Sequence, residues 1–374
     1  MEEISTEQNI IKLLLSKTPL LDVRAPIEFA RGALPGATNI PLLDDEQRAA
    51  VGKAYRQAGQ TAAIEKGHTL VTEQGKAQRI NEWQTFLAAG SGAALYCLRG
   101  GLRSHIAQQW LAEHGSETPL VTGGYRRVRR LLLARLETLA TTLPLVLVAG
   151  KTGSGKTSLI NALPHSVDLE GLANHRGSAF GQRLASQPSQ ANFENELCVT
   201  LLRQAANSPQ PLFLEDESRS IGALSIPLSF YQAMQRAPLA LIESTAAERS
   251  RTIMQDYILS NYAELRADNP ASAQERFSAT LRDSLARIQK RLGGDNYHRI
   301  SKLMEQALRA QFEDDDGQLH LRWIDTLLNA YYDPMYDYQL SRKLDRVVFR
   351  GSQKEFLHWT GQLTADNYEQ AVSG

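Results

Sequence analysis

The sequence predicts an α/β protein with two parallel-sheet domains and a helical C-terminal region. Short apolar runs bounded by turn residues recur along the chain, as buried strands of parallel sheets do, at residues 20–23, 93–96, 145–148, 211–214 and 239–242. Two of these runs lead directly into glycine-rich turns that are followed by helical patterns. Helical spacing with few breakers dominates from residue 245 onward, over 246–265, 272–292 and 297–311.

The chain divides into two domains and a connector. A length of 374 residues suits two compact domains. We place the first domain at residues 1–120, a basic connector helix at 121–143, and the second domain, with its helical C-terminal part, at 144–374. The first domain carries further helical patterns at 78–89 and 104–113, and residues 125–139 of the connector alternate arginines with leucines.

Composition narrows the class of protein. Lys+Arg and Asp+Glu both number 41, so the chain is not a generic polycation that coats nucleic acid. Two cysteines far apart give no disulfide framework, which favours a reducing compartment. The N-terminus lacks the basic region and apolar core of a signal peptide, and no run approaches about 18 apolar residues. We therefore expect a cytoplasmic protein without a membrane segment.

Residues 150–157 form a glycine-rich anion site. They read GKTGSGKT, which fits G-x-x-x-x-G-K-[ST], and they lie between a strand and a helix, as a phosphate-binding loop (P-loop) does. The phosphate-binding residues are Gly150, Gly153, Gly155, Lys156 and Thr157. The glycines let backbone N–H groups surround an anion, the lysine reaches terminal phosphate oxygens, and the threonine hydroxyl is suited to Mg²⁺. An NTP is the commonest ligand of such a loop, and any diphosphate suits it equally.

Charged residues follow two later strands of the second domain. Glu215 and Asp216 stand where a Walker B strand carries its acids, so either could hold a metal through water; solvated acids after a strand give the same pattern. Arg249 and Arg251 follow the next strand, where P-loop kinases often carry lid arginines. A solvated helix face explains these arginines equally well.

A second anion site surrounds Cys97. Residues 97–104 read CLRGGLRS and lie between a strand and a helix. Its other members are Arg99, Gly100, Gly101 and Arg103. The glycines free backbone N–H groups and the arginines supply positive charge, so we expect Cys97 to be a reactive thiolate. Cys198, by contrast, lies on an apolar helical face and is expected to serve in packing.

The first domain resembles a rhodanese domain. Asp22-Val23-Arg24 and residues 28–41 closely resemble the N-terminal signature of that family, and the cysteine loop follows at the expected place. The resemblance implies a cysteine that carries sulfur or selenium. The usual sulfurtransferase loop is C-x-x-G-x-R, whereas Cys97 to Arg103 is C-x₅-R, one residue longer, as in phosphatases of the rhodanese fold. A phosphate-like donor would suit this longer loop, and a phosphatase stays an alternative.

Three further segments resemble the bacterial tRNA 2-selenouridine synthase family. They are DLEGLANHRGSAFG at 168–181, EDESR at 215–219 with Ile221-Gly222, and YYDPMY at 331–336, so the resemblance runs over essentially the whole chain. It implies a transferase that acts on wobble 2-thiouridine in the anticodon loop of certain tRNAs. In the reaction that the resemblance implies, geranyl diphosphate alkylates the sulfur, and selenophosphate then replaces geranylthiol by selenium. Selenophosphate synthetase is the implied supplier of the second donor.

The resemblance and the two loops together suggest an assignment of sites. We assign selenophosphate to the Cys97 loop, because of its extra length, and geranyl diphosphate to the P-loop. Residues 223–231 are a candidate apolar groove for the geranyl tail, with ordinary core as the alternative. Metal or substrate contacts are expected from Asp168, Glu170, His175, Arg176, Glu215 and Asp216, with Mg²⁺ as the candidate ion. Contacts to the tRNA backbone are expected from Arg126, Arg127, Arg129 and Arg130, and from a second basic stretch formed by Arg282, Arg287, Lys290 and Arg291.

Two other functions fit the same motifs. A plain sulfurtransferase or a phosphatase of the rhodanese fold could be joined to an NTPase. A non-enzymatic tRNA-binding or regulatory module is the second alternative, and the zero net charge and the two intact anion loops argue against it.

Overall fold

The computed structural model describes residues 2–90, 92–207 and 210–363. Contacts divide the chain into two compact units that interleave in sequence. The first unit joins Met1–Leu139 to Pro188–Arg203, and the second joins Ala140–Gln187 to Gln204–Gly374. Each unit contains a five-stranded parallel sheet, which confirms the predicted α/β class. The sequence predicted that everything after residue 144 belongs to the second domain. It did not predict that residues 188–203 return to the first unit.

The first unit has a sheet in the order β1-β5-β4-β2-β3. Its elements are β1 (Glu3–Ile4), α1 (Glu7–Leu15), β2 (Leu20–Asp22), α2 (Pro26–Ala30), β3 (Ala37–Asn39), α3 (Asp45–Leu70), α4 (Glu73–Ala88), β4 (Ala94–Tyr96), α5 (Leu102–Glu113), β5 (Leu120–Val121) and α6 (Gly124–Thr142). The strands predicted at 20–23 and 93–96 are β2 and β4, and the three predicted helices are α4, α5 and α6. Helix α3 was not predicted; it begins at an Asp44–Gln47 capping box and is kinked at Gly59.

The centre of this sheet is apolar on both faces. Leu20, Leu21 and Leu95 are at most 1 % exposed, as expected for strands covered by helices on either side. Trp83 of α4 packs into the same core, and its indole N–H donates to the Ile40 carbonyl at 2.9 Å. This packing fixes the carboxyl end of β4, which is where the cysteine loop begins.

The second sheet has the order β12-β11-β6-β8-β7. The elements from residue 143 onward are β6 (Leu145–Ala149), α7 (Lys156–Ala162), β7 (Ser166–Val167), α8 (Leu169–Leu172), α9 (Gln190–Asn207), β8 (Leu212–Glu215), β9 (Ser220–Ile221), β10 (Leu224–Ser225), α10 (Leu228–Met234), β11 (Leu239–Ile242), α11 (Ala246–Ile253), α12 (Ser260–Asp268), α13 (Ala273–Leu292), α14 (Gly294–Glu313), α15 (His320–Leu327), α16 (Asp333–Ser341), β12 (Val347–Gly351) and α17 (Gln353–Gln362). The strands predicted at 145–148, 211–214 and 239–242 are β6, β8 and β11. The edge strand β12 was not predicted. Its sequence, VVFRG, mixes apolar and polar residues, and the strand is only partly buried.

Helix α9 supplies the segment that belongs to the first unit. Phe193, Leu197 and Cys198 are fully buried. Asn192 accepts a hydrogen bond from the Ala33 backbone N–H at 2.6 Å, and Asn195 donates to the Ala33 carbonyl at 2.7 Å. The helix is therefore an integral part of the first unit's core, although it follows the P-loop in sequence.

The C-terminal helices build a separate apolar core within the second unit. On α13, buried Phe277, Leu281 and Leu285 repeat at helical spacing, and the helix packs against α12 and α14. The predicted helices at 246–265, 272–292 and 297–311 are present. Between α11 and α12 the chain forms a π-helical segment at Met254–Leu259, and a second π-helical segment at Leu328–Tyr332 precedes α16. Among the described residues, no helix combines the length and the apolar character needed to cross a membrane.

Candidate active sites: a cysteine loop and a phosphate cavity

The cysteine loop connects β4 to α5 and is fastened to the beginning of α6. The backbone N–H of Tyr125 donates to the Cys97 carbonyl at 2.9 Å, and that of Arg126 donates to the Leu98 carbonyl at 3.0 Å. Gly124 has φ +56°, and a Cβ there would overlap the Cys97 carbonyl oxygen. Gly100 also has positive φ, at +63°. Glycine is thus required on both sides of this contact, which fixes the loop's shape.

The Cys97 side chain lies at the base of the loop. It is 3 % exposed, and the Ser104 hydroxyl lies 3.1 Å from its sulfur, in a position to donate a hydrogen bond. The same hydroxyl lies 3.0 Å from the Gly101 carbonyl oxygen, so it links the cysteine to the turn that precedes α5. The sequence interpretation had not assigned Ser104 a role.

The two loop arginines have different surroundings. Arg103 donates to both carboxylate oxygens of Glu28, at 2.5 and 3.2 Å. Burial acts to raise the pKa of Glu28, but the hydrogen bond and charge of Arg103 outweigh it and the pKa is lowered. Arg99 is exposed. The loop therefore offers a ligand the charge of Arg99 and its backbone N–H groups, while the charge of Arg103 is engaged by Glu28.

Cys198 differs from Cys97 in both environment and chemistry. It is fully buried in α9, and its thiol donates to the Leu132 carbonyl at 3.1 Å. Burial raises the pKa of Cys198 to about 12. This thiol stays protonated and unreactive, as the apolar helical pattern predicted.

Only two of the four α6 arginines predicted to contact tRNA are available at the surface. Arg127 donates to the Ser5 carbonyl, and Arg129 forms an ion pair with Glu194. Arg126 and Arg130 are exposed, and within the described part of the chain the structure records no ion pair or hydrogen bond for either side chain. They are four residues apart, so they share one face of the helix.

The P-loop has the geometry that the motif predicted. It follows β6, and α7 begins at Lys156. Gly153 and Gly155 have φ of +83° and +78°, in the left-handed region that favours glycine. In this structure the Lys156 ammonium donates a hydrogen bond to the Gly150 carbonyl at 2.7 Å. The lysine side chain therefore lies across the P-loop, where a bound phosphate would contact it.

Side chains distant in sequence hold the P-loop from outside. Arg249, 3 % exposed, donates to the Thr152 carbonyl at 3.3 Å and makes a two-point ion pair with Asp333 at 2.6 and 2.7 Å. Gln353 donates to the Ser154 carbonyl at 2.9 Å. Arg249 is thus a buried support rather than the lid arginine considered from the sequence, while Arg251 is exposed.

A cavity of about 1510 Å³ opens over the P-loop. Its charged lining is predominantly basic: Lys156, Arg176, Arg183, Arg287, Lys290, Arg291 and Lys343, against Glu170, Asp216, Glu217 and Asp256. The predicted second basic stretch therefore contributes three residues to this cavity. Its fourth member, Arg282, instead pairs with Glu305.

Two carboxyl groups lie beside the lysine and threonine of the P-loop. Glu170, in α8, accepts a hydrogen bond from the Thr157 hydroxyl at 3.2 Å and is also hydrogen-bonded to Glu217. Burial raises the pKa of both carboxyls, and their mutual repulsion raises that of Glu217 further, against the opposing charge of Lys156. Thr157, Glu170 and Glu217 are the residues that could hold a divalent cation here. Among described residues, no group of three or more His, Cys, Asp or Glu side chains forms a metal cluster.

The other predicted acids do not face a ligand freely. Asp168 caps α8 by accepting from the Gly171 N–H. Glu215 is fully buried, accepts from the Leu169 N–H at 3.0 Å and does not line the cavity, because the side chain at the end of β8 turns into the interior. Asp216 lines the cavity, but Lys343 donates to both of its oxygens at 2.8 Å. The geometry does not support the prediction that Glu215 holds a metal.

His175 and Arg176 lie in the cavity wall, as the sequence suggested. Burial, with the charges of Arg287 and Arg183, lowers the pKa of His175, so the ring is neutral at neutral pH. Arg176 donates to the Asn261 side chain at 2.7 Å, and its guanidinium lies 5.3 Å from the Tyr257 ring centroid.

The apolar part of the cavity comes from the C-terminal helices. Its lining includes Ile253, Tyr257, Ile288, Tyr331, Tyr332, Met335, Tyr336 and Leu340. The groove predicted at residues 223–231 is wrong: Leu224, Ile226 and Phe230 are buried in the core, and of that segment only Ala223 lines the cavity. A single sequence does not distinguish a core-facing apolar run from a ligand-facing one.

Sequence reasoning also missed several site residues. Each of them pairs with a predicted residue: Glu28 with Arg103, Glu217 with Glu170, and Lys343 with Asp216. Glu28 and Glu217 had a signal, because Glu28 begins the rhodanese-like segment 28–41 and Glu217 lies in EDESR beside two predicted acids. Lys343 is 127 residues from its partner and had none.

The fold and its two anion loops define a class of protein: a rhodanese domain joined to a P-loop domain with a helical C-terminal part. A rhodanese-like family model matches residues 7–128, and a model described as the tRNA 2-selenouridine synthase AAA domain matches residues 143–367. The tRNA 2-selenouridine synthase of Cupriavidus pinatubonensis is 46 % identical over 95 % of this chain and 97 % of its own. That of Shewanella oneidensis is 45 % identical over 97 % and 96 %, and that of Hahella chejuensis 48 % over 92 % and 91 %. The chain belongs to the tRNA 2-selenouridine synthase family.

Proposed function

We propose that this protein converts wobble 2-thiouridine in tRNA to 2-selenouridine through an S-geranyl intermediate. The supporting observation is that one chain combines a cysteine loop with a phosphate cavity whose wall is partly apolar and partly basic. Full-length similarity to proteins named tRNA 2-selenouridine synthase supports the same overall reaction.

The first step is alkylation of the tRNA sulfur. The sulfur attacks C1 of geranyl diphosphate, the C–O bond breaks, and diphosphate leaves with the electron pair onto the P-loop. The N3 proton of the thiouracil ring is released. Lys156 and the loop N–H groups neutralise charge that grows on the leaving oxygens, which is the kind of contact that lowers a barrier most. Mg²⁺ at Thr157 and Glu170 would add positive charge at the same place.

The second step replaces sulfur by selenium. The Cys97 thiolate attacks the phosphorus of selenophosphate, and the P–Se bond breaks with its electron pair left on selenium, which is released as hydrogen selenide ion. That selenium then attacks C2 of the ring, and geranylthiolate leaves with the C–S electron pair and is protonated by water. Water hydrolyses the cysteinyl phosphate. No oxidant or reductant is needed, and a loop of the C-x₅-R length suits the phosphoryl group.

Basic side chains at both sites are candidates to bind the tRNA. Arg126 and Arg130 on α6, and Arg287, Lys290 and Arg291 at the phosphate cavity, are exposed and could contact phosphate groups. Selenophosphate synthetase remains the proposed supplier of the second donor.

The decisive experiment uses the purified full chain and a synthetic anticodon stem-loop that carries 2-thiouridine. With geranyl diphosphate alone, mass spectrometry of the nucleosides should show S-geranyl-2-thiouridine. With selenophosphate added, it should show 2-selenouridine. ATP hydrolysis, or Cys97-dependent hydrolysis of an aryl phosphate, with no change in the nucleosides would instead favour a phosphatase or sulfurtransferase joined to an NTPase.

A further inference from the structure

A small apolar pocket adjoins the phosphate cavity and shares part of its lining. It has a volume of about 20 Å³ and presents only apolar surface. Five residues line both spaces: Thr152, Ser178, Ile253, Tyr257 and Tyr332. Five others line only the small pocket: Phe180, Trp323, Ile324, Leu327 and Leu328.

The walls of this pocket are fixed to the P-loop and to each other. A Cβ at Gly153 would lie 3.0 Å from the Ile253 side chain, so Ile253 packs directly on the loop. Trp323 donates its indole N–H to His320 at 2.8 Å and stacks on Phe180 with ring centroids 5.7 Å apart. Buried aromatic and aliphatic side chains therefore bound the pocket, next to Thr152 of the P-loop.

The chemistry of this space argues against the base or ribose of a nucleotide. Such groups would lose hydrogen bonds to water against a surface that is entirely apolar, because Thr152, Ser178, Tyr257 and Tyr332 line it with their carbon atoms, and this loss is costly. An apolar group attached to a diphosphate meets no such cost. Its phosphates would lie at the basic P-loop and its hydrocarbon at the tyrosine-lined wall, which matches the distribution of charge in the cavity.

We propose that this pocket receives the methyl end of a prenyl chain whose diphosphate is bound at the P-loop, and that Trp323 and Leu327 limit the length of that chain. This inference rests on the proposed function. A volume of about 20 Å³ holds roughly one water-sized or methyl-sized group. It is too small for an additional five-carbon unit, so the pocket acts as the end wall of the site.

The test compares prenyl donors of different length on the full chain. We expect Leu327→Ala to raise the ratio of kcat/KM for farnesyl diphosphate over geranyl diphosphate by roughly 10- to 200-fold, the usual effect of resizing an apolar pocket. Ile324→Phe should fill the pocket, weaken geranyl transfer and spare dimethylallyl transfer. Leu281→Ala is the matched control, because Leu281 is 3 % exposed in the same helical core and does not line the pocket.

Binding provides a second readout. The gain in affinity of geranyl diphosphate over inorganic pyrophosphate, measured by calorimetry, should shrink in Ile324→Phe and persist in Leu281→Ala. Thermal melting checks folding, and Leu327→Val replaces Leu327→Ala if the latter is unfolded.

The outcomes separate this inference from the proposed function. Equal donor ratios in Leu327→Ala, Leu281→Ala and wild type would overturn the inference and leave the function standing. Alkylation by no donor in the wild type would overturn the proposed function and the inference with it.

Discussion

At the scale of residues, both candidate sites keep one charged side chain in an ion pair. Arg103 is held by Glu28 in the cysteine loop, and Asp216 by Lys343 beside the P-loop. Removing one member of a partly buried pair leaves the other charge uncompensated. Substitutions of Glu28 or Lys343 should therefore act on the sites through their partners.

Cys97→Ser should block selenium incorporation and leave geranylation intact. A serine hydroxyl is not ionised at neutral pH and is a poor nucleophile towards phosphorus, whereas alkylation uses the tRNA's own sulfur as nucleophile. The variant should accumulate S-geranyl-2-thiouridine, measured as a late-eluting apolar nucleoside. Cys198→Ser is the control that keeps both activities. Selenium incorporation at the wild-type rate would show that Cys97 is structural.

His320→Gln should reduce the loss of stability in acid. Burial lowers the pKa of His320 from its ordinary value of 6.5 to about 4. Between pH 6.5 and pH 4 the unfolded chain binds more protons at this position than the folded chain does. The contribution of His320 to wild-type stability is therefore fully present above about pH 6.5 and is lost as the pH falls towards 4. This single group accounts for on the order of 3 kcal/mol over that range.

The measurement is urea unfolding at several pH values. Gln keeps a polar group near Gln311 and the Trp323 N–H but does not titrate, so the slope of unfolding free energy against pH should decrease. His298→Gln, at an exposed position, is the control. An unchanged slope in His320→Gln would contradict the assignment.

At the scale of elements, the P-loop is a local motif with remote supports. Its glycines and the beginning of α7 are contiguous in sequence, but Arg249 and Gln353 hold two of its carbonyl groups from elements that follow much later. These supports restrict the conformation of the loop, because they hold the Thr152 and Ser154 carbonyls in place. A preorganised loop loses little entropy when a diphosphate binds.

Lys156→Ala should strongly slow alkylation of the tRNA sulfur. The lysine neutralises charge on the departing diphosphate, and one such contact is worth about 3 kcal/mol, or roughly 10²- to 10³-fold in rate. The measurement is single-turnover formation of S-geranyl-2-thiouridine at saturating geranyl diphosphate. Lys151→Ala is the matched control, since Lys151 pairs with Asp337 at 2.9 Å and does not line the cavity. A normal rate for Lys156→Ala would remove the P-loop from this step.

At the scale of the whole molecule, the two units are not independent stretches of chain. Helix α9 follows the P-loop in sequence, yet its residues up to Arg203 complete the first unit's core. Phe193, Leu197 and Leu201 are all fully buried. Cutting the chain between the two predicted domains would therefore leave the first one without part of its interior.

A fragment of residues 1–143 should be markedly less stable than the first unit in the full chain. Burial of a single large apolar side chain contributes about 1.5–3 kcal/mol, and the fragment lacks several. The measurement is thermal melting of the fragment alone and with a synthetic peptide of residues 188–203, which should raise its melting temperature. A peptide with Phe193→Ala and Leu197→Ala is the control. Cooperative, peptide-independent melting at the full chain's temperature would contradict the interleaved arrangement.

Local motifs were predictable because their members are neighbours in the chain. The Cys97 loop and the P-loop each lie within one strand–turn–helix unit, and the predicted strands appeared at the expected places. The fully apolar runs at β6 and β11 also predicted buried parallel strands correctly. Sequence by itself therefore determined the α/β class, the two anion loops and the family resemblance.

Tertiary structure alone decided what surrounds those loops. The pairing of Asp216 with Lys343, the association of α9 with the first unit and the apolar pocket at Trp323 join residues that are far apart in sequence. An apolar residue reads the same in a sequence whether it faces a core, as Phe230 does, or a cavity, as Met335 does. The physical reason is that burial is set by which elements pack together, and that choice depends on contacts along the entire chain rather than on local pattern.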